Sequence, residues 1–189
     1  MLSRLTQVTM ALATLVCAAV ISARADEQAP AEPADYRTDH YRAPVPRTLK
    51  GARVATTAEV EALWKRGSAA FVDVLPRPPK PKLPPDTLWR DEPRPDIPGS
   101  LWLPDTGYGA LPPKIEVYFR DGMSKATGGD RAKAVIIYCL RDCWMSWNAA
   151  RRAVAMGYTN VIWYPDGTDG WSAAGLPLTD ATPEPRPSD

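Results

Sequence analysis

Ala134-Val-Ile-Ile-Tyr138, followed at once by Cys139-Leu-Arg-Asp-Cys143-Trp144, decides how this chain folds. A short, continuous apolar run rich in β-branched residues reads as a strand buried on both faces at the centre of a parallel sheet. A cysteine directly after such a strand stands at its carboxyl end, where open α/β sheets place their sites. Beyond the loop, Ser146 reads as a helix cap. Trp147, Ala150 and Val154 form one helical stripe, Arg151 and Arg152 lie on another face, and Gly157 is the stop.

The pattern extends in both directions. Thr56 and Thr57 with Glu59 open a helix carrying Val60, Leu63 and Trp64, and Gly67 ends it. Ala70–Val74 reads as a second buried strand and Leu101–Leu103 as a third, with a helix from Lys114 to Lys125 stopped near Gly128-Gly129. Val161–Trp163 is another strand and Trp171–Ala174 a short closing helix. Strands alternating with helices predict an α/β fold, a parallel sheet flanked by helices on both faces.

The flanks differ in composition. Arg4, the apolar run Val8–Ile21 and the small residues of Ala23-Arg-Ala25 predict a signal peptide over residues 1–25. The expectation is a periplasmic protein with no membrane span after cleavage, and Cys17 leaves with the leader. Residues 26–50 read as an extended N-terminal arm, laid over the domain or partly disordered. Residues 51–179 form the domain, and 180–189 are expected to be a disordered tail. Residues 76–98 hold nine prolines. They form a stiff insertion, read either as functional, with Trp89 part of a lid or docking surface, or as a solvated spacer with Trp89 packed on the domain for burial.

Removing the leader leaves 21 basic against 22 acidic side chains. That balance argues against nucleic acid or an anionic membrane surface as partner. His40 is the one histidine, which discounts a His-based metal site or a Ser-His-Asp triad. Cys139 and Cys143 are the two cysteines of the mature chain. They do not fit haem attachment or a complete zinc site, so no metal and no bound cofactor is expected.

The pair itself admits three readings. As a staple, a disulfide closing five residues constrains the unfolded chain by only about 2 kcal/mol. As a redox or sulfur-relay site it has a cysteine at a helix N-terminus, a second thiol in reach and an aromatic wall. The third reading is a ligand-binding role. In the relay reading, Leu140, Arg141, Asp142, Trp144, Met145 and Ser146 make an anion-binding loop whose amides favour a Cys139 thiolate; Arg141 reinforces this and Asp142 opposes it. Cys139 is then the attacking thiol and Cys143 the resolving one. Trp147 and Trp89 are candidate substrate or partner contacts.

Phe71-Val-Asp-Val74, Ile97-Pro-Gly-Ser100, Val135-Ile-Ile-Tyr-Cys139, Asn148-Ala-Ala-Arg, Gly157-Tyr-Thr-Asn-Val161 and Gly170-Trp-Ser-Ala-Ala-Gly-Leu-Pro177 resemble, in order, the signature stretches of the rhodanese-like domain superfamily. The resemblance implies a parallel five-stranded sheet flanked by helices, with Cys139 in the place of the sulfur-carrying cysteine. Asp142-Cys-Trp-Met-Ser-Trp-Asn-Ala-Ala150 is similar to a narrower group, the CXXCW-motif proteins associated with catabolism dependent on pyrroloquinoline quinone (PQQ). That likeness implies a periplasmic quinoprotein alcohol dehydrogenase or cytochrome c system as partner, a small thiol or sulfur donor, and only indirect association with PQQ. The loop departs from the rhodanese pattern: Ser146 falls one residue late and Cys143-Trp144 fills the middle. A phosphatase of this fold needs an Arg where Met145 stands. A persulfide on Cys139 would be discharged by Cys143, so the readings that remain are sulfurtransferase, thiol-disulfide oxidoreductase and non-catalytic accessory module.

Overall fold

The computed structural model describes residues 29–78, 81–88 and 92–186. The expected leader and Trp89 lie outside these residues. The elements run β1 (Arg53–Val54), α1 (Thr57–Lys65), β2 (Ala70–Asp73), β3 (Arg94–Asp96), β4 (Leu101–Trp102), α2 (Pro113–Thr127), β5 (Val135–Tyr138), α3 (Trp144–Ala155), β6 (Val161–Tyr164), α4 (Gly167–Ala173) and β7 (Thr179–Ala181).

Five strands form one sheet in the order β1-β6-β5-β2-β4, and every pairing in it is parallel. The Val135–Tyr138 run sits at its centre, fully buried, as its unbroken apolar sequence requires. Because side chains alternate along a strand, Val135, Ile137 and Cys139 face one way, packing with Phe119 and Met123 of α2 and Trp147 and Ala150 of α3. Ile136 and Tyr138 face the other way, against Val60 of α1 and Trp171 of α4. The expected α/β architecture, with helices on both faces of a parallel five-stranded sheet, is therefore the one observed.

Local chemistry explains the helix limits. Thr56 and Glu59 form a reciprocal capping box at the start of α1. Pro113 begins α2, where its missing N–H costs nothing, and Gly128 ends it at φ 67°. Helix α3 departs from the sequence expectation. Its N-cap is Cys143, and Ser146 lies inside the first turn, fully buried, with its hydroxyl donating to the Cys143 carbonyl at 2.9 Å. Ser146 Oγ also accepts from Trp163 Nε1 at 3.0 Å, so the residue ties the helix to β6 rather than capping it.

Two further expectations are corrected. The tail is ordered through Arg186: β7 pairs antiparallel with β3, Glu184 N–H donates to the Trp102 carbonyl at 2.9 Å, and Lys125 meets the Glu184 carboxylate at 2.6 Å. The proline-rich insertion is not a mere spacer at its far end either. Arg94 of β3 is buried, and its Nε donates to Asp73 Oδ2 at 2.7 Å at the end of β2. Removing one partner of a buried ion pair leaves a bare charge in a medium that solvates it poorly. Arg94→Met should therefore lower stability by about 3–5 kcal/mol in urea denaturation, whereas deleting residues 81–88, which are exposed, should leave a cooperative transition of nearly unchanged midpoint.

Candidate functional site

Cys139 follows β5 and Cys143 precedes α3, and the two sulfurs are joined in a disulfide with Cα atoms 6.5 Å apart. The intervening residues turn sharply, with Asp142 at φ 52°, a left-handed conformation that aspartate tolerates. The pair is not exposed, as a surface loop would have it. Cys139 is 0% and Cys143 2% accessible.

The arm crosses the loop at Cys143. Arg42 and Cys143 form an antiparallel bridge, in which Ala43 N–H donates to the Asp142 carbonyl at 3.1 Å and Trp144 N–H to the Tyr41 carbonyl at 2.9 Å. The rest of the described arm follows α3, and the helix side chains address its main chain. Trp144 Nε1 donates to Pro44 O at 3.0 Å, Trp147 Nε1 to Thr48 O at 3.2 Å and Asn148 Nδ2 to Arg37 O at 2.8 Å. Arg151 reaches the carbonyls of Pro33, Ala34 and Asp35. Arg37 lies over the Trp144 ring at 5.3 Å and Arg152 over Tyr36 at 4.6 Å. The described arm is thus an ordered strap, and Trp147, proposed as a partner contact, is buried beneath it.

The loop's donors are likewise engaged. Arg141 N–H donates to Asp169 Oδ2 at 3.0 Å, and the Arg141 guanidinium faces Asp166 at 3.4 Å, half exposed. With the Trp144 amide on Tyr41, two of the amides expected to hold an anion already serve internal acceptors. Leu140 is half-buried and Asp142 exposed, whereas Trp144, Met145 and Ser146 turn into the domain. An open groove of about 430 Å³ runs beside the loop, lined among others by Pro44, Arg47, Arg141 and Asp166.

The Cys139 carbonyl is pinned from the opposite side. It accepts from Thr168 N at 3.0 Å and Thr168 Oγ1 at 3.4 Å at the start of α4. Gly167, at φ 52°, lets α4 come this close, because a Cβ there would collide with that carbonyl. Thr168 Oγ1 in turn lies 3.3 Å from Arg94 Nη1, so the buried Asp73–Arg94 pair supports the cysteine through one threonine. Thr168 and Asp169 were missed in the sequence because the closing helix was started at Trp171. The signal was Asp166-Gly-Thr-Asp169, which carries residues that favour helix starts.

This buried network holds two carboxyls and one guanidinium. Asp96 Oδ1 accepts from Tyr138 at 2.6 Å and from Ile97 N–H at 2.8 Å, while Asp96 Oδ2 and Arg94 Nη2 lack hydrogen-bond partners. Burial pushes the Asp73 carboxyl up against the pull of Arg94. Burial, then the charge of Asp73, pushes Asp96 up to about 7. An acid whose folded pKa lies above its unfolded value of about 4 binds its proton more tightly when native. Its stability contribution is full below about pH 4 and is lost as pH rises through about 7. Stability should therefore fall between about pH 4 and pH 7, and Asp96→Asn should flatten that fall in urea titrations across the same range.

No curated protein matches the sequence. The polysulfide-sulfur transferase homodimer of Wolinella succinogenes is similar in structure at 18% identity and TM-score 0.45, over 70% of this chain and 81% of that one. A thiosulfate sulfurtransferase of Pseudomonas aeruginosa is similar at 18% identity and TM-score 0.48, over 73% of this chain and 22% of that one. A rhodanese-like domain from Anabaena sp. is similar at 14% identity and TM-score 0.44, over 71% and 86% of the two chains. The family model for the rhodanese-like domain matches residues 56–174, from the cap of α1 to the end of α4, and the chain belongs to that family.

Proposed function

We propose that this rhodanese-like domain works as a thiol-disulfide exchange protein of the bacterial periplasm, with Cys139 and Cys143 as its redox pair. The observation that carries the reading is the bond between the two sulfurs at the carboxyl end of the central strand. A persulfide on Cys139 would have Cys143 in reach, and attack by that thiol would release the sulfur and restore the disulfide. Sulfur relay through a lasting persulfide is for that reason the weaker reading, although it suits the family. The short apolar leader in the sequence supports export. The likeness of the Cys143-Trp144 segment to CXXCW proteins supports a quinoprotein dehydrogenase or cytochrome c system as the setting, with PQQ held by the partner.

One observation favours a second reading. Both cysteines are buried and the arm bridges Cys143, as in a structural disulfide of a non-catalytic accessory module. The two readings separate in a trapping experiment. For exchange, the reduced full chain treated with glutathione disulfide should return to its internal bond, and replacing one cysteine by Ala should leave a stable glutathione adduct on the other. Intact-mass spectra showing no adduct on either single variant, each verified as folded, would leave the staple.

A further inference from the structure

The arm contacts the loop and α3 chiefly through its own main chain. The carbonyls of Pro33, Ala34, Asp35, Arg37, Tyr41, Pro44 and Thr48 all accept from the loop-helix unit, and the donors are indole, amide, guanidinium and backbone N–H groups. Such main-chain contacts read an extended backbone, with Arg37 over Trp144 and Tyr36 beside Arg151 and Arg152 as the side-chain contacts added to them.

The register of the bridge adds chemistry. Hydrogen bonds run from Ala43 N to Asp142 O and from Trp144 N to Tyr41 O. Arg42 and Cys143 are therefore a non-hydrogen-bonded antiparallel pair. Pairs of this type bring their Cα atoms to roughly 4.5 Å with side chains leaving on the same side. That lies within the roughly 4.4–6.8 Å span of a disulfide. Arg42 itself is exposed, so the position opposite Cys143 is open to a different side chain.

We infer that the loop and α3 form a binding site for an extended polypeptide segment, held in this structure by the chain's own arm, and that the redox partner is a protein presenting a cysteine at the register of Arg42. The inference rests on the exchange reading above and names its substrate class. The partner's thiolate attacks Cys143 Sγ, the Cys139–Cys143 bond breaks, and Cys139 leaves as a thiolate that takes a proton from water. A second partner thiol then attacks the partner's own sulfur in the mixed disulfide and releases Cys143. The partner ends as a disulfide and this chain as a dithiol. The partner-facing sulfur is then Cys143, and Cys139, fully buried with its carbonyl pinned by Thr168, is the resolving one, the reverse of the assignment made from sequence.

Two measurements on the full chain test this. In Arg42→Cys, equilibrated with a glutathione redox buffer, peptide mapping should find the introduced sulfur bonded to Cys143 and Cys139 left as a free thiol. Ala43→Cys, whose side chain leaves the bridge on the other side, should keep the native bond. Independently, a synthetic peptide of the arm sequence 35–48 with cysteine in place of Arg42 should form a mixed disulfide with the Cys139→Ala protein about tenfold faster than the same peptide with cysteine in place of Ala43. Retention of the native bond in Arg42→Cys, or equal rates for the two peptides, would overturn the docking site. If the Cys139→Ala protein still takes a glutathione adduct in that case, the exchange reading survives without it. If neither single-cysteine variant takes a glutathione adduct, the exchange reading falls as well.

Discussion

Everything distinctive about this molecule depends on how the five residues from Cys139 to Cys143 are held between two backbones. On one side the arm forms the Arg42–Cys143 bridge, and on the other the Thr168 amide in the first turn of α4 donates to the Cys139 carbonyl. Each hydrogen bond contributes only about 1 kcal/mol net, so neither clamp is strong alone. Together they fix both ends of a turn whose sulfurs are bonded to each other. The two cysteines are thereby closed to solvent although Arg141 and Asp142 between them are exposed, which sets this site apart from an open cradle of amides around a single cysteine. The amides that a lone thiolate would need are bonded to Tyr41 and Asp169 instead.

Beneath the loop, electrostatics supplies the support. Asp73 and Arg94 are paired at 2.7 Å in the interior, and Arg94 reaches Thr168, which holds the cysteine carbonyl. A lone buried carboxylate would cost several kcal/mol, so the pair is kept intact by the same force that makes it hard to build. The second carboxyl, Asp96, has no cation of its own and responds by holding its proton up to about pH 7. Proton occupancy at Asp96 is in this way linked to the stability of β3, the strand that carries Arg94 beneath the site.

Much of the fold could be read from local patterns. The run from Val135 to Tyr138, the capping box at Thr56 and the alternation of strands with helices located the sheet and its helices because those signals lie within a few residues. Elements whose stabilising partners are distant in sequence were not legible. The two-residue strand β1 and the short pair β3 and β7 have too few residues for any periodicity, and they exist through pairing with segments far along the chain. Ser146 was mistaken for a helix cap because nothing local reveals that Tyr41 satisfies the Trp144 amide. Trp147 and Ala150 of the apolar stripe of α3 face inward, but Arg152 on another face is buried too, since its guanidinium donates to the carbonyls of Thr106, Tyr108 and Gly109 and lies over Tyr36 of the arm. The two cysteines were found from sequence, and the arm was expected either over the domain or partly disordered; its path across Cys143 was not legible, because its contacts are to carbonyls that every residue possesses.

The central claim is that Cys139–Cys143 is a bond made to be broken and remade. Its reduction potential, measured on the full oxidised chain by equilibration with dithiol and glutathione buffers and read by intact mass, tests this most directly. The expected value lies among the exchange catalysts, between about −120 and −270 mV, with the reduced chain still folded. A value below about −300 mV, the range of structural disulfides, or reduction only on global unfolding, would contradict it.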